Sequence, residues 1–91
     1  MMEYRVLGRT GIRVSAIALG CEGFMNKSAD EVKADLDFAI SHGVNFIDIY
    51  SSNPDLRCNI GAALEGRRGD FVIQGHMCTA WENDQYLRTR D

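Results

Sequence analysis

Apolar and polar residues alternate along this 91-residue chain in two different periods, and the switch between them sets out its elements. The stretch Gly43-Val44-Asn45-Phe46-Ile47-Asp48-Ile49-Tyr50 is a short apolar run entered from a glycine, the pattern of a buried parallel strand. Ala16-Ile17-Ala18-Leu19-Gly20 and Phe71-Val72-Ile73-Gln74 have the same character. Between these runs the period lengthens. Val32, Leu36, Ala39 and Ile40 recur at i, i+4, i+7 and i+8, and so do Leu56, Ile60, Ala63 and Leu64; each set predicts a helix lying on a sheet. Ser28 and Glu31 have capping-box spacing at the start of the first helix. Asn53-Pro54 opens the second, with Asn53 as the cap and Pro54 in the first turn, where its missing N–H costs nothing. Gly43 and Gly66 end the two helices.

Ahead of this alternation, residues 1–15 read as a β-hairpin, two short β-like pieces around Gly8-Arg9-Thr10-Gly11. That GxxG lacks the Lys-Ser/Thr ending and the following helix of a phosphate loop. Cys21 to Lys27 form a loop, Arg67-Arg68-Gly69-Asp70 a solvated turn, and residues 77–91 a tail without a regular element. The predicted order is hairpin, strand, helix, strand, helix, strand. Residues 16–76 form a βαβαβ unit whose parallel strands require right-handed crossovers.

Composition narrows the function classes. A formal charge of -3 argues against a nucleic-acid surface. No apolar run is long enough to cross a bilayer, and no signal-peptide core follows the first residues, so the cytoplasm is the default expectation. Cys21, Cys58 and Cys78 are widely spaced and odd in number, which supports reduced structural thiols rather than a disulfide framework or a metal site.

The candidate chemistry sits at the C-terminal ends of the strands, where parallel α/β folds place ligands. Asp48 is a carboxylate inside an apolar strand and needs a partner. Either it pairs with His76 at the neighbouring strand end, which favours a charged imidazole, or it hydrogen-bonds a loop backbone. His76 is correspondingly an acid/base group or a structural histidine. Tyr50 lies two residues beyond Asp48, on the same face. His42 caps a helix C-terminus. Trp81 is a pocket wall or an interface anchor. A further possibility is a small α/β binding domain with an anion site at Ser28 or Asn53.

Taken together, Tyr4-Arg5-Val6-Leu7-Gly8-Arg9-Thr10-Gly11, Val14-Ser15, Leu19-Gly20, Gly43-Val44-Asn45-Phe46-Ile47-Asp48 and Ile60-Gly61-Ala62-Ala63-Leu64 resemble, in order and spacing, the N-terminal part of the aldo-keto reductases. The Asn53-Pro54 and Gln74-Gly75-His76 segments, with the tail around Trp81 and Arg88-Thr89-Arg90-Asp91, resemble a divergent bacterial branch whose members often carry a ferredoxin-like segment. The resemblance implies the N-terminal portion of a (β/α)8 barrel, with a hairpin closing its base. It implies NADPH as cofactor, a small carbonyl substrate, Asp48 as the family aspartate, and Gly20 and Asp48 at the cofactor site. Where the family has its proton-donating tyrosine this chain has Asn53, and where it has its lysine, His76. Tyr50 is then a packing residue or a displaced proton donor. A full barrel needs roughly 200 residues or more. The chain is therefore expected to be an incomplete, inactive piece of such an oxidoreductase. The alternative is a non-catalytic half-barrel or ligand-binding module that self-associates as a homo-oligomer.

Overall fold

The structure is a computed structural model, and it describes residues 1–77 and 80–88. Strands β1 (Tyr4–Val6) and β2 (Arg13–Ser15) form an antiparallel hairpin. Gly8 and Gly11 carry its turn at φ +50° and +75°, a region open to glycine without Cβ strain. Next come β3 (Leu19–Gly20), a short 3-10 turn at Glu22–Phe24, α1 (Ala29–Ser41), β4 (Phe46–Ile49), α2 (Pro54–Ala63), a second 3-10 turn at Arg68–Asp70, and β5 (Val72–Gly75). The sheet order is β3-β4-β5, all parallel, with Gly20 level with Asp48 and Asp48 level with Gln74. This is the α/β arrangement read from the sequence. Among the described residues the strands form no closed barrel.

The helices start where their caps place them. Ser28 Oγ accepts from the Glu31 N–H at 3.1 Å, and Asn53 Oδ1 accepts from the Leu56 N–H at 3.0 Å. Each satisfies a donor that a first helical turn leaves unpaired. Both apolar stripes face the same side of the sheet. Val32, Leu36 and Ala39 of α1 and Leu56, Ile60 and Ala63 of α2 are buried there with Ile47, Leu64 and Phe71. Ile40 packs on this core only in part.

The hairpin is held at the N-terminal ends of the parallel strands, opposite the rim that carries the candidate chemistry. Ser15 N–H donates to Asn45 Oδ1 at 2.7 Å, Asn45 Nδ2 donates to the Arg13 carbonyl at 3.1 Å, and Tyr4 OH donates to the Gly43 carbonyl at 2.8 Å. Asn45 is therefore a clamp, which explains a polar residue inside an otherwise apolar stretch.

Three expectations change. The first strand shortens from Ala16–Gly20 to Leu19–Gly20, because Ile17 is exposed and only Leu19 and Gly20 pair with β4. Arg67 is not simply solvated. It reaches Asp37 of α1, its Nε donates to the Ala63 carbonyl at 3.1 Å, and its guanidinium lies over the Phe71 ring. Its partner Arg68 donates from Nη1 to the Phe71 carbonyl at 3.0 Å. The tail contains a second hairpin, β6 (Ala80–Glu82) with β7 (Gln85–Leu87), turned by Asn83 and Asp84 at φ 52° and 61°. Two successive left-handed residues make the turn that matches strand twist, and Asn-Asp is a fitting pair for it.

The sheet is covered by helices on one face. The radius of gyration is 14.0 Å, against about 12 Å for a compact domain of this length. The molecule is a plate, 42 × 32 × 21 Å, rather than a sphere.

Candidate functional site at the strand ends

Side chains on the helix-free face of the sheet converge at its C-terminal rim. The period of two sends Ile47 and Ile73 toward the helices and Asp48 and Gln74 to the opposite face, where His76, just past β5, joins them. The sequence left two possibilities for Asp48, and the side chain takes the first. Its Oδ1 lies 2.6 Å from His76 Nε2 and accepts from Gln74 Nε2 at 3.1 Å. The two side chains are about one-third exposed, 32% for Asp48 and 31% for His76, so water screens the pair while leaving it reachable. Gly20, level with Asp48 on the neighbouring strand, has open space where a Cβ would project.

Tyr50 borders the pair. Its ring meets His76 edge-on at 5.0 Å and lies 6.2 Å from the ring of Tyr86. Trp81 packs edge-on against Tyr86 at 4.8 Å, so it belongs to the rim as part of β6. The rings of His76, Tyr50, Tyr86 and Trp81 thus follow one another along the mouth. Beneath them Ser51, 1% exposed, accepts from Tyr86 OH at 2.7 Å and from the Asn53 N–H at 3.1 Å.

Other expected positions fall into structural roles. Asn53 spends its side chain on the cap of α2. His42 Nδ1 lies 2.9 Å from the Phe38 carbonyl at the end of α1. Ser28 caps α1, so neither cap side chain is free for an anion. Cys78 lies outside the described residues. No group of three His, Cys, Asp or Glu suited to a metal occurs among the described residues, and no helix there is long and apolar enough to cross a membrane.

Gln74, Ser51 and Tyr86 were not read from the sequence as site residues. Gln74 could have been, since it stands two positions before His76, near the end of β5. Tyr86 was hidden by the hairpin, whose signal was the Asn83-Asp84 pair.

Cys21 also adjoins this rim. Its N–H donates to the Asp48 carbonyl at 3.0 Å, and its thiol is buried at 2% exposure. Burial, and after it the negative charges of Asp48 and Glu22, push that thiol up to about 11. Cys58 is exposed. Iodoacetamide at pH 8 is therefore expected to label Cys58 rapidly and Cys21 at least about 100-fold more slowly, since the thiolate is the nucleophile. Labelling of both at one rate in the folded protein contradicts this placement. The linkage has a sign. The unfolded thiol loses its proton first as pH rises from the ordinary 9.0, so this contribution to stability is present below pH 9 and is lost toward pH 11.

No protein-family model matches the chain. Among solved structures it is similar to two of a Pseudomonas aeruginosa protein provisionally assigned as an aldo-keto reductase. Each superposes with a TM-score of 0.82 at 27% identity over 94% of this chain. The chain spans about a third of the length of those proteins, 35% of one and 34% of the other. Parallel strands with helices on one face, a base hairpin and this likeness together make the chain aldo-keto reductase-like, with the fold of a partial (β/α)8 barrel.

Proposed function

We propose that this chain carries part of the active site of an oxidoreductase that reduces a small carbonyl compound with NADPH. The observation that carries the reading is the 2.6 Å contact of Asp48 with His76 beside the ring of Tyr50, at the C-terminal rim of parallel strands. The residues present fit the ring end of the cofactor. Gly20, level with Asp48, has open space where a Cβ would project. When bound, NADPH supplies the hydride for the carbonyl carbon.

The protein's part is the proton. Tyr50 is the phenol beside the pair and gives its proton to the carbonyl oxygen as charge develops there. His76 stands where the family resemblance puts a lysine, with its Nε2 2.6 Å from Asp48 Oδ1. Asp48 Oδ1 holds the ring and itself accepts from Gln74 Nε2. Asn53, at the family's tyrosine position, has no acidic proton and keeps its capping role. The grip on the cofactor's phosphates lies, on this reading, outside these 91 residues, so the chain by itself is inactive. Reduced thiols at Cys21 and Cys58 suit a cytoplasmic protein.

A chimera tests this directly: the present chain in place of the matched third of the Pseudomonas aeruginosa protein. Titration of NADPH, followed by its fluorescence, should saturate with the chimera and not with the 91-residue chain. Carbonyl-dependent oxidation should appear only with the chimera. A chimera that folds as a monomeric barrel and binds no NADPH sinks the proposal.

One observation favours a second reading, a non-catalytic half-barrel that associates with its own copies. An open groove of about 700 Å³ runs beside α2, lined by Ile49, Ile60, Leu64, Ile73 and Met77. A second copy covering that groove would remove apolar surface from water. A dimer or larger assembly in solution, with a chimera indifferent to NADPH, would support it over the reductase.

A further inference from the structure

We propose that the β6–β7 hairpin is a strap across the rim and that Tyr86 is a positioning residue for Tyr50 and His76, acting through Ser51. Calling the rim a catalytic site rests on the proposed function; the tether itself does not. A two-stranded hairpin has little stability alone, so what anchors it decides its order. The anchor here is Tyr86. One side of its ring meets Trp81 of the same hairpin, and its centroid lies 6.2 Å from that of Tyr50. Its hydroxyl donates to Ser51 Oγ at 2.7 Å, a contact between residues 35 apart in the chain.

Ser51 is a fixed point. It is 1% exposed, its Oγ also accepts from the Asn53 N–H at the cap of α2, and its carbonyl accepts from Arg57 Nε at 2.8 Å. Ser51 therefore refers the strap to the first turn of α2 rather than to another loop. It is also the residue next to Tyr50. The Tyr50 ring stands between Tyr86 and His76, at 6.2 and 5.0 Å. Without the strap it would keep its contact with His76 and lose the neighbour that limits its rotation away. The phenol's direction, and the ring edge that His76 feels, thus depend on a hydrogen bond made from the tail.

The test is a double-mutant cycle on the 91-residue chain, read by proton NMR of the His76 ring. Tyr86→Phe keeps the aromatic contacts and removes the donor; Ser51→Ala removes the acceptor. Each is expected to move the His76 ring resonances, and the double variant should move them no further than either single change. Amide exchange in β6 and β7 should rise by about 2- to 10-fold with Tyr86→Phe, the effect of one hydrogen bond. Gln85→Ala, in the same strand but outside the anchor, should leave the His76 signals in place. If Ser51→Ala fails to fold, Tyr86→Phe against Gln85→Ala still decides the matter. Faster exchange in the hairpin with unmoved His76 signals would reduce Tyr86 to a stabilising residue and overturn the proposal. In the chimera, Tyr86→Phe should lower kcat more than it changes KM. Moved His76 signals in a chimera that does not bind NADPH would leave the tether standing and remove only the catalytic reading.

Discussion

Tyr50→Phe in the chimera is expected to slow carbonyl-dependent NADPH oxidation by about 10²- to 10⁴-fold, the contribution of a positioned general acid, and to leave NADPH affinity within about twofold. The change removes one oxygen and keeps the ring, so the edge contact with His76 and the packing against Tyr86 persist. A loss confined to kcat is the mark of an interaction made only as the alkoxide forms. A large rise in the Kd for NADPH would instead identify Tyr50 as part of the binding wall. An unchanged rate would make it a packing residue, and the proton would have to come from elsewhere on the rim. The pair beside it supplies a control. Gln74→Glu puts a second carboxylate against Asp48, where Gln74 Nε2 now donates at 3.1 Å. It should disturb His76 while leaving the phenol intact.

Leu36→Ala is expected to have the largest effect on stability, about 2–5 kcal/mol. Leu36 has no exposed surface and lies in the cluster with Val32, Ile47 and Ile60, where α1, α2 and the sheet meet. Stability for a chain of this length is of the order of 5–14 kcal/mol. A sheet covered on one face falls toward the low end, because less apolar area leaves water. The variant should therefore lose much of its cooperative urea transition or shift the midpoint far down. Phe38→Ala, on the same helix but 67% exposed, should move the midpoint little. If the two variants behaved alike, the assignment of α1's buried face would be wrong.

Local chemistry was legible along the chain because it is written in neighbours. The stripe from Val32 to Ile40 and the one from Leu56 to Leu64 each state a helix and the face it buries. Ser28 and Asn53 state where the helices begin, and Gly43, at φ +89°, where one ends. Asp48 in an apolar strand stated that something would have to meet it. The N-terminal hairpin followed from glycines at Gly8 and Gly11. The hairpin at Ala80–Leu87 was missed because three-residue strands leave too little alternation to stand out.

What the sequence by itself determined is thus the succession of elements as far as β5, their buried faces and the end of the sheet on which the polar residues fall. Only the tertiary structure decided which of those residues meet. Sliding β5 by two residues along β4 would preserve every inward and outward position, yet would place Val72 or His76 rather than Gln74 level with Asp48. Arg67 with Asp37, and Tyr86 with Ser51, are joined across helices and across the rim. No periodicity encodes such contacts, because a repeating pattern records which side a residue faces, and a site also requires how far along its neighbour it lies.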